Sequence, residues 1–273
     1  MTSTSDAEGS DLAARFLALH LPGRPLLLPN PWDLGSARIL ASLGFAALAT
    51  TSSGFAATLG RPDGAVTRDQ AIGHAGLIAR TIPLPVSADL ENGYSDDPHE
   101  VASTVTAAIE AGLAGCSIED STGRQDAPIY DSSLAVERVA AAAEAAHSGP
   151  RRLVLTARAE NHLHGRDDLA DTIARLQRYA EVGADVLYAP GLIRASDIRE
   201  VVRSVGRPVN VLALADAPPT EIRATPSSAS SATVGASASA STLTGRPTEP
   251  TTSPMSLARV SPGAYSTSAP ASA

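Results

Sequence analysis

Short apolar runs and longer helical patterns alternate along the chain. The runs are Leu26–Asn30, Ala46–Thr51, Pro85–Asp89, Gly115–Glu119, Leu153–Arg158, Val186–Pro190 and Val209–Leu214. Most are rich in Val, Ile, Leu or Ala and show little alternation, which is the pattern of parallel strands buried on both faces. Between them the apolar spacing predicts helices over Ser36–Leu43, Arg68–Ala79, Pro98–Ala111, Ser133–Ala146, Asp167–Val182 and Ser196–Val205. Asp97 stands in an N-cap position, and Gly112 and Gly183 read as C-terminal stops.

Repeated strand–helix units imply parallel strands joined by right-handed crossovers. Seven runs at this spacing predict an α/β fold, a (β/α)8 TIM barrel rather than an open sheet. Polar residues gather at the strand C-terminal ends (Asn30, Ser52, Asp89, Glu119 and Arg158), where barrel enzymes carry their chemistry. An open doubly wound sheet would show a Gly-rich loop after the first strand, and "PNPWDLGSAR" is not one.

From about Pro218 the text turns to Ser, Thr, Ala and Pro, with no helical period and no strand run. Such a segment buries too little apolar surface to offset its ordering entropy, so disorder is expected. A seven-stranded barrel still needs an eighth strand and a closing helix. The expectation is therefore an incomplete barrel over 1–217, apparently missing both, and a low-complexity tail over 218–273. The tail is either an authentic extension or an out-of-frame translation. Ala/Ser/Thr/Pro/Arg-rich text is what GC-rich coding DNA often gives in a wrong frame, which favours the second.

Composition narrows the class. The chain has 273 residues, 43% apolar and only 3% aromatic, so one large core must be built from Ala, Leu, Val and Ile. A net charge of −8 argues against a nucleic-acid partner, which needs a basic face. A single cysteine excludes an internal disulfide and fits a reducing compartment. The N-terminus "MTSTSDAEGS" lacks the order of a signal peptide, and no apolar stretch reaches membrane-spanning length. A cytoplasmic protein with no membrane partner is expected.

The candidate chemistry is acidic. "VSADLENGY" puts Asp89 at the end of the third strand with Glu91 just beyond, and "CSIEDS" puts Glu119 at the end of the fourth. With a period of two, Glu119 shares a face with Ser117, and Asp89 with Ser87, while Cys116 and Ile118 face the helices. Carboxylates crowded at an apolar mouth repel unless a cation or shared proton neutralises them. An all-oxygen set suits Mg²⁺ or Mn²⁺, and zinc is disfavoured because these motifs hold no His and Cys116 faces the helices. The plainer alternative is that they are loop-end carboxylates capping the next helices.

Arg158, ending the fifth strand in "LVLTARAEN", reads as an anion clamp. The alternative is a structural pair with Glu119 or Glu160. The "ATTSSG" turn presents Thr51, Ser52 and Ser53 either to an anion or merely to solvent. Asn30, Trp32 and Asp33 are candidate pocket residues, with Trp32 equally placed for packing. Cys116 reads as a small buried thiol. His74, His99, His147, His162 and His164 share no motif; only His162 and His164, after the fifth strand, lie near the expected mouth.

The ordered motifs "NPWDLGSARILASLGFAALATTSSGFAATLGRPDG", "PVSADLENGY", "GCSIEDS", "LTARAEN" and "GADVLYAPG" resemble the isocitrate lyase / phosphoenolpyruvate mutase superfamily over roughly residues 24 to 215. The resemblance implies a (β/α)8 barrel, usually a homo-oligomer with a swapped last helix. It implies Mg²⁺ near Asp89, Glu91 and Glu119, with Asp63 of "LGRPDG" close to the metal's water shell. It also implies that Arg158 binds the substrate and its enolate, and that Thr51, Ser52 and Ser53 hold the substrate carboxylate. The chain departs from the family in the loop "EDSTGRQDAPIYDSS". This loop lacks the Lys-Lys-Cys-Gly-His motif of the lyases and the Lys and Asn of the mutases. Ala189 stands near the histidine of the true mutases. The pattern is nearer to decarboxylases and mutase-like members. The function expected is a Mg²⁺-dependent lyase or mutase cleaving a C–C or P–C bond of a small α-oxo or α-hydroxy carboxylate. The alternative is a non-catalytic barrel remnant.

Overall fold

The computed structural model describes residues 12–21 and 24–212 in full and the backbone of 232–236. Eight strands form one all-parallel sheet: β1 (Leu26–Pro29), β2 (Leu48–Ala49), β3 (Val86–Asp89), β4 (Gly115–Glu119), β5 (Val154–Arg158), β6 (Val186–Tyr188), β7 (Val209–Leu212) and β8 (Ala232–Ala236). Their order is β1-β8-β7-β6-β5-β4-β3-β2, so the sheet curls in sequence order and brings β1 back toward β2. The Asn30 Nδ2 bridges these two ends by donating to the Ala49 carbonyl at 2.9 Å.

The helices are α1 (12–18), α2 (Leu34–Ser42), α3 (Ser52–Thr58), α4 (Arg68–Thr81), α5 (Pro98–Glu110), α6 (Ser132–His147), α7 (Leu169–Glu181) and α8 (Ala195–Ser204). Local chemistry sets their starts. Asp33 with Ser36 and Thr67 with Gln70 form reciprocal capping boxes on α2 and α4. Asp97 caps α5, accepting from His99 N, and Pro98 takes the first helical position. Gly112 and Gly183 follow α5 and α7 with φ of 87° and 114°, as stop residues in left-handed backbone. Among the described residues, no helix is long and apolar enough to cross a membrane.

The main core lies between sheet and helices. Cys116, Ile118, Leu155, Ala157 and Leu187 pack there with Val101, Val105, Val139, Ala142, Leu176 and Tyr179. A second cluster has Phe16 of α1 packed with Leu26, Leu28, Ala47, Ala114, Val154 and Val186. Gly115 permits this approach, because a Cβ there would meet Phe16 at 2.7 Å.

Two expectations need correction. No eighth strand was expected, yet Ala232–Ala236 forms β8, in register with β7 on one side and β1 on the other. Five residues of "ATVGA" are short enough to vanish in a Ser/Ala-rich text, while their Thr–Val pair suits a pleated backbone. "ATTSSG" was expected to be a turn, yet Ser52 opens α3, with Thr51 accepting from Gly54 N as its N-cap. The closing helix and the rest of the expected tail fall outside the described residues.

Candidate active site

A cleft of about 190 Å³, open to solvent, lies at the C-terminal ends of the strands. Asp63, Asp89, Arg158, Thr51, Ser52, Ser53, Asn30, Tyr188 and Asn210 line part of it. Register explains the grouping. Across β4 to β7, Glu119 pairs with Arg158, Arg158 with Tyr188, and Tyr188 with Asn210. Partners in a parallel ladder point to the same face, so these four polar side chains form one row.

Arg158 is the hub. Its Nη1 lies 3.1 Å from Asp89 Oδ1, its Nη2 3.1 Å from Glu119 Oε2, and its Nε 2.8 Å from Glu160 Oε1. The guanidinium also stands over the Tyr188 ring, 5.2 Å from its centroid. The pairings with Glu119 and Glu160 anticipated as a structural alternative for Arg158 are therefore both present, while the residue also lines the cleft.

Asp89 is held from several directions. The backbone N–H and hydroxyl of Ser52 both donate to Oδ2 at 3.0 Å. Glu91 N donates to Oδ1 at 3.3 Å, and Asp89 N donates to Thr50 Oγ1 at 3.0 Å. Ser52 thus commits its donors to Asp89, whereas the Thr51 and Ser53 hydroxyls bond each other at 3.1 Å.

Glu91 sits in left-handed backbone, φ 48°, unusual for a residue with a Cβ. Its carbonyl accepts from Glu119 N at 3.0 Å, which joins the two acidic loops. Its Oε1 is buried and has no partner. Burial, then the charges of Asp89 and Asp63, push its carboxyl from 4.5 up to about 7. Burial also holds the Glu119 carboxyl well above its ordinary value, against the pull of Arg158. Asp63 is raised too, by desolvation first and Asp89 second.

The other candidates separate. Glu91 and Glu119 are not among the cleft-lining residues and stand behind Asp89 and Arg158. Trp32 packs against Gly54, where a Cβ would lie 2.5 Å from its ring. Asp33 caps α2. His162 approaches Asp167, and His164 Nε2 lies 3.1 Å from Ser121 Oγ; neither lines the cleft. Cys116 is buried against the helix layer, and burial pushes its thiol up. Segment 121–132 is pinned: Ser121 bridges Ile129, Arg124 pairs with Asp96 at 2.9 Å, and Tyr130 hydrogen-bonds Asp96. Tyr188 and Asn210 were not singled out from the sequence. Their signal was available as inward positions at the ends of β6 and β7, but only the register aligns them with Arg158.

The profile of the phosphoenolpyruvate phosphomutase family matches residues 16–242, and the chain belongs to that family. It is 35% identical to an uncharacterised protein of Mycobacterium tuberculosis H37Rv over 72% of this chain and 73% of that protein. It is 28% identical to 2-methylisocitrate lyase of Escherichia coli K12, over 71% of this chain and 70% of the enzyme. Among solved structures, a Burkholderia cenocepacia J2315 protein provisionally named a lyase/mutase matches with 49% identity and a TM-score of 0.79, covering 84% of this chain and 82% of that one. 2,3-Dimethylmalate lyase, of the phosphoenolpyruvate mutase/isocitrate lyase superfamily, matches with 27% identity and a TM-score of 0.71, covering 84% and 80%.

Proposed function

We propose that this chain is a Mg²⁺-dependent lyase or mutase that acts on a small 2-oxo or 2-hydroxy carboxylate through an enolate, on a (β/α)8 barrel. The observation that carries the reading is charge. Asp63, Asp89, Glu91, Glu119 and Glu160 crowd around one guanidinium, Arg158. A single cation cannot balance five carboxylates, so the excess calls for protons or a metal ion.

Among the described residues, no three or more His, Cys, Asp or Glu side chains form a ready metal cage. Mg²⁺ does not require one, since it commonly binds through one or two carboxylates and retains waters. The donor set is all oxygen, and the unpartnered Glu91 Oε1 suits a cation or its water. Asp89, Glu91 and Glu119 would hold Mg²⁺ (or Mn²⁺), directly or through water, with Asp63 near its water shell. Bound there, the ion supplies Lewis-acid polarisation of the substrate's C2 oxygen.

The chain's own groups do the rest. Of the five N–H donors of Arg158, three are committed to carboxylates, leaving two for an enolate or carboxylate oxygen. Thr51 and Ser53 offer hydroxyls to the substrate carboxylate, and Ser52 fixes Asp89. Segment 121–132, which does not line the cleft as it stands, would have to close over it to exclude water. It carries no Cys, Lys or His to act as a general acid. A decarboxylation-like cleavage, in which solvent protonates the enolate, makes the least demand on it.

Purified protein assayed on oxaloacetate with Mg²⁺ and with EDTA tests this reading. Pyruvate release that depends on the metal is expected. Equal rates in EDTA would contradict the mechanism.

A further inference from the structure

Asp120 follows Glu119 directly, is buried and does not line the cleft. Its backbone continues the β4–β5 ladder. Beyond the Glu119–Arg158 pair, Asp120 N donates to the Arg158 carbonyl at 3.2 Å. A regular parallel ladder would next run from Glu160 N to the Asp120 carbonyl. That carbonyl is taken instead by Tyr130 N, at 2.9 Å. The Asp120 side chain fills the vacated place: its Oδ1 accepts from Glu160 N at 2.8 Å. Its Oδ2 is held from α7, by Arg175 Nη1 at 3.1 Å and by the Tyr179 hydroxyl at 2.7 Å. Arg175 Nη1 also donates to the Tyr130 carbonyl at 3.0 Å, so α7 braces both Asp120 and the return of segment 121–132. Asp120 therefore grips the Arg158–Ala159–Glu160 stretch at two points, the first carbonyl and the last N–H. An ionised carboxylate has acceptor sites enough for donors on both of its sides.

We propose that Asp120 is a positioning residue for the Arg158 guanidinium. It puts a charged acceptor where the ladder would have a carbonyl and so fixes Glu160 by its N–H. Glu160 accepts from Arg158 Nε at 2.8 Å, and this bond sets the plane in which Arg158 presents its remaining N–H groups. The chain of command runs from Arg175 and Tyr179 through Asp120 and Glu160 to Arg158. The catalytic consequence rests on the reading of Arg158 as the group that meets a substrate oxygen. The rival role is that Asp120 only balances Arg175 inside the fold. In that case the loss of Asp120 costs stability, and the Arg158–Glu160 bond is indifferent to it.

The test has two arms, both on the full chain. The first follows solvent exchange of the arginine Nε–H groups by NMR of ¹⁵N-labelled protein, with the Arg158 signal identified by its loss in Arg158→Lys. The wild type should show a slowly exchanging Arg158 Nε–H. Asp120→Ala removes the acceptor for Glu160 N and should speed that exchange by about tenfold or more. Asp120→Asn has one acceptor oxygen for donors on two sides and should lie between, at least about threefold faster than wild type. If Asp120→Ala loses its cooperative melt, Asp120→Asn carries the comparison. The second arm is steady-state kinetics on oxaloacetate with Mg²⁺. In Asp120→Ala, kcat should fall by about tenfold or more with KM within about twofold, and Asp120→Asn should recover part of the loss. Unchanged Arg158 Nε–H exchange in a folded Asp120 variant, or a kcat that falls only with the folded fraction, would overturn the positioning role. Exchange that depends on Asp120 in a wild type without activity on oxaloacetate would uphold the Asp120–Glu160–Arg158 arrangement and contradict the proposed reaction alone.

Discussion

Arg158 Nε donates to Glu160 Oε1 across 2.8 Å, with Glu160 only 3% exposed. The same guanidinium serves Asp89 and Glu119, so its removal would leave buried carboxylates without a counter-charge. Breaking a buried pair from one side costs about 3–5 kcal/mol. Arg158→Ala is expected to lower the melting temperature markedly and abolish turnover. Arg158→Lys keeps the charge but not the planar three-way fork, so it should retain more stability while kcat/KM still falls by about a hundredfold or more. Thermal melts and steady-state kinetics on the two variants separate these effects.

Glu91 makes stability depend on pH. Its folded carboxyl titrates near 7 rather than 4.5, because burial and the charges of Asp89 and Asp63 disfavour ionisation. The folded state therefore holds this proton more tightly than the unfolded state. The contribution to stability is full below pH 4.5 and is lost as pH rises through 7, and it amounts to at most about 3 kcal/mol. Urea unfolding without metal should show stability falling over this window, and Glu91→Gln should flatten the fall. With Mg²⁺ present, the wild-type loss above pH 7 should shrink. An identical pH profile for wild type and variant would contradict this assignment.

Gly54 is tied to Trp32. A Cβ at position 54 would lie 2.5 Å from the indole and 2.6 Å from the Thr51 methyl. Gly54→Ala improves helix propensity by about 1 kcal/mol, but overpacking costs about 1–3 kcal/mol, so a net loss is expected. The strain falls on Thr51, the N-cap of α3, and on the adjoining Ser52, which donates twice to Asp89. Activity should fall together with stability, and Trp32→Ala should rescue part of the stability in a double-mutant cycle.

Asp89, Glu119 and Arg158 were legible in the sequence because each closes an apolar run and a period of two fixes its facing. Their mutual contacts were only partly legible. That Arg158 would meet Glu119 or Glu160 was open; that it meets both, and Asp89, depends on how β3, β4 and β5 align. Tyr188 and Asn210 were hidden for the same reason, since register between strands is a property of the sheet and not of any one segment. "ATTSSG" read as a turn because Ser-Ser-Gly also satisfies turn chemistry, and the capping bond from Gly54 N to Thr51 decides otherwise. Composition obscured β8, whose pairing comes from backbone hydrogen bonds to β1 and β7 that need little from its side chains.

The central claim is that a divalent cation balances the carboxylates around Arg158. Calorimetric titration of Mg²⁺ into the folded protein, with and without oxalate, tests it most directly. One site is expected, tighter with oxalate present and lost in Asp89→Asn. No uptake of Mg²⁺ or Mn²⁺ in either condition, by protein that melts cooperatively, would contradict it.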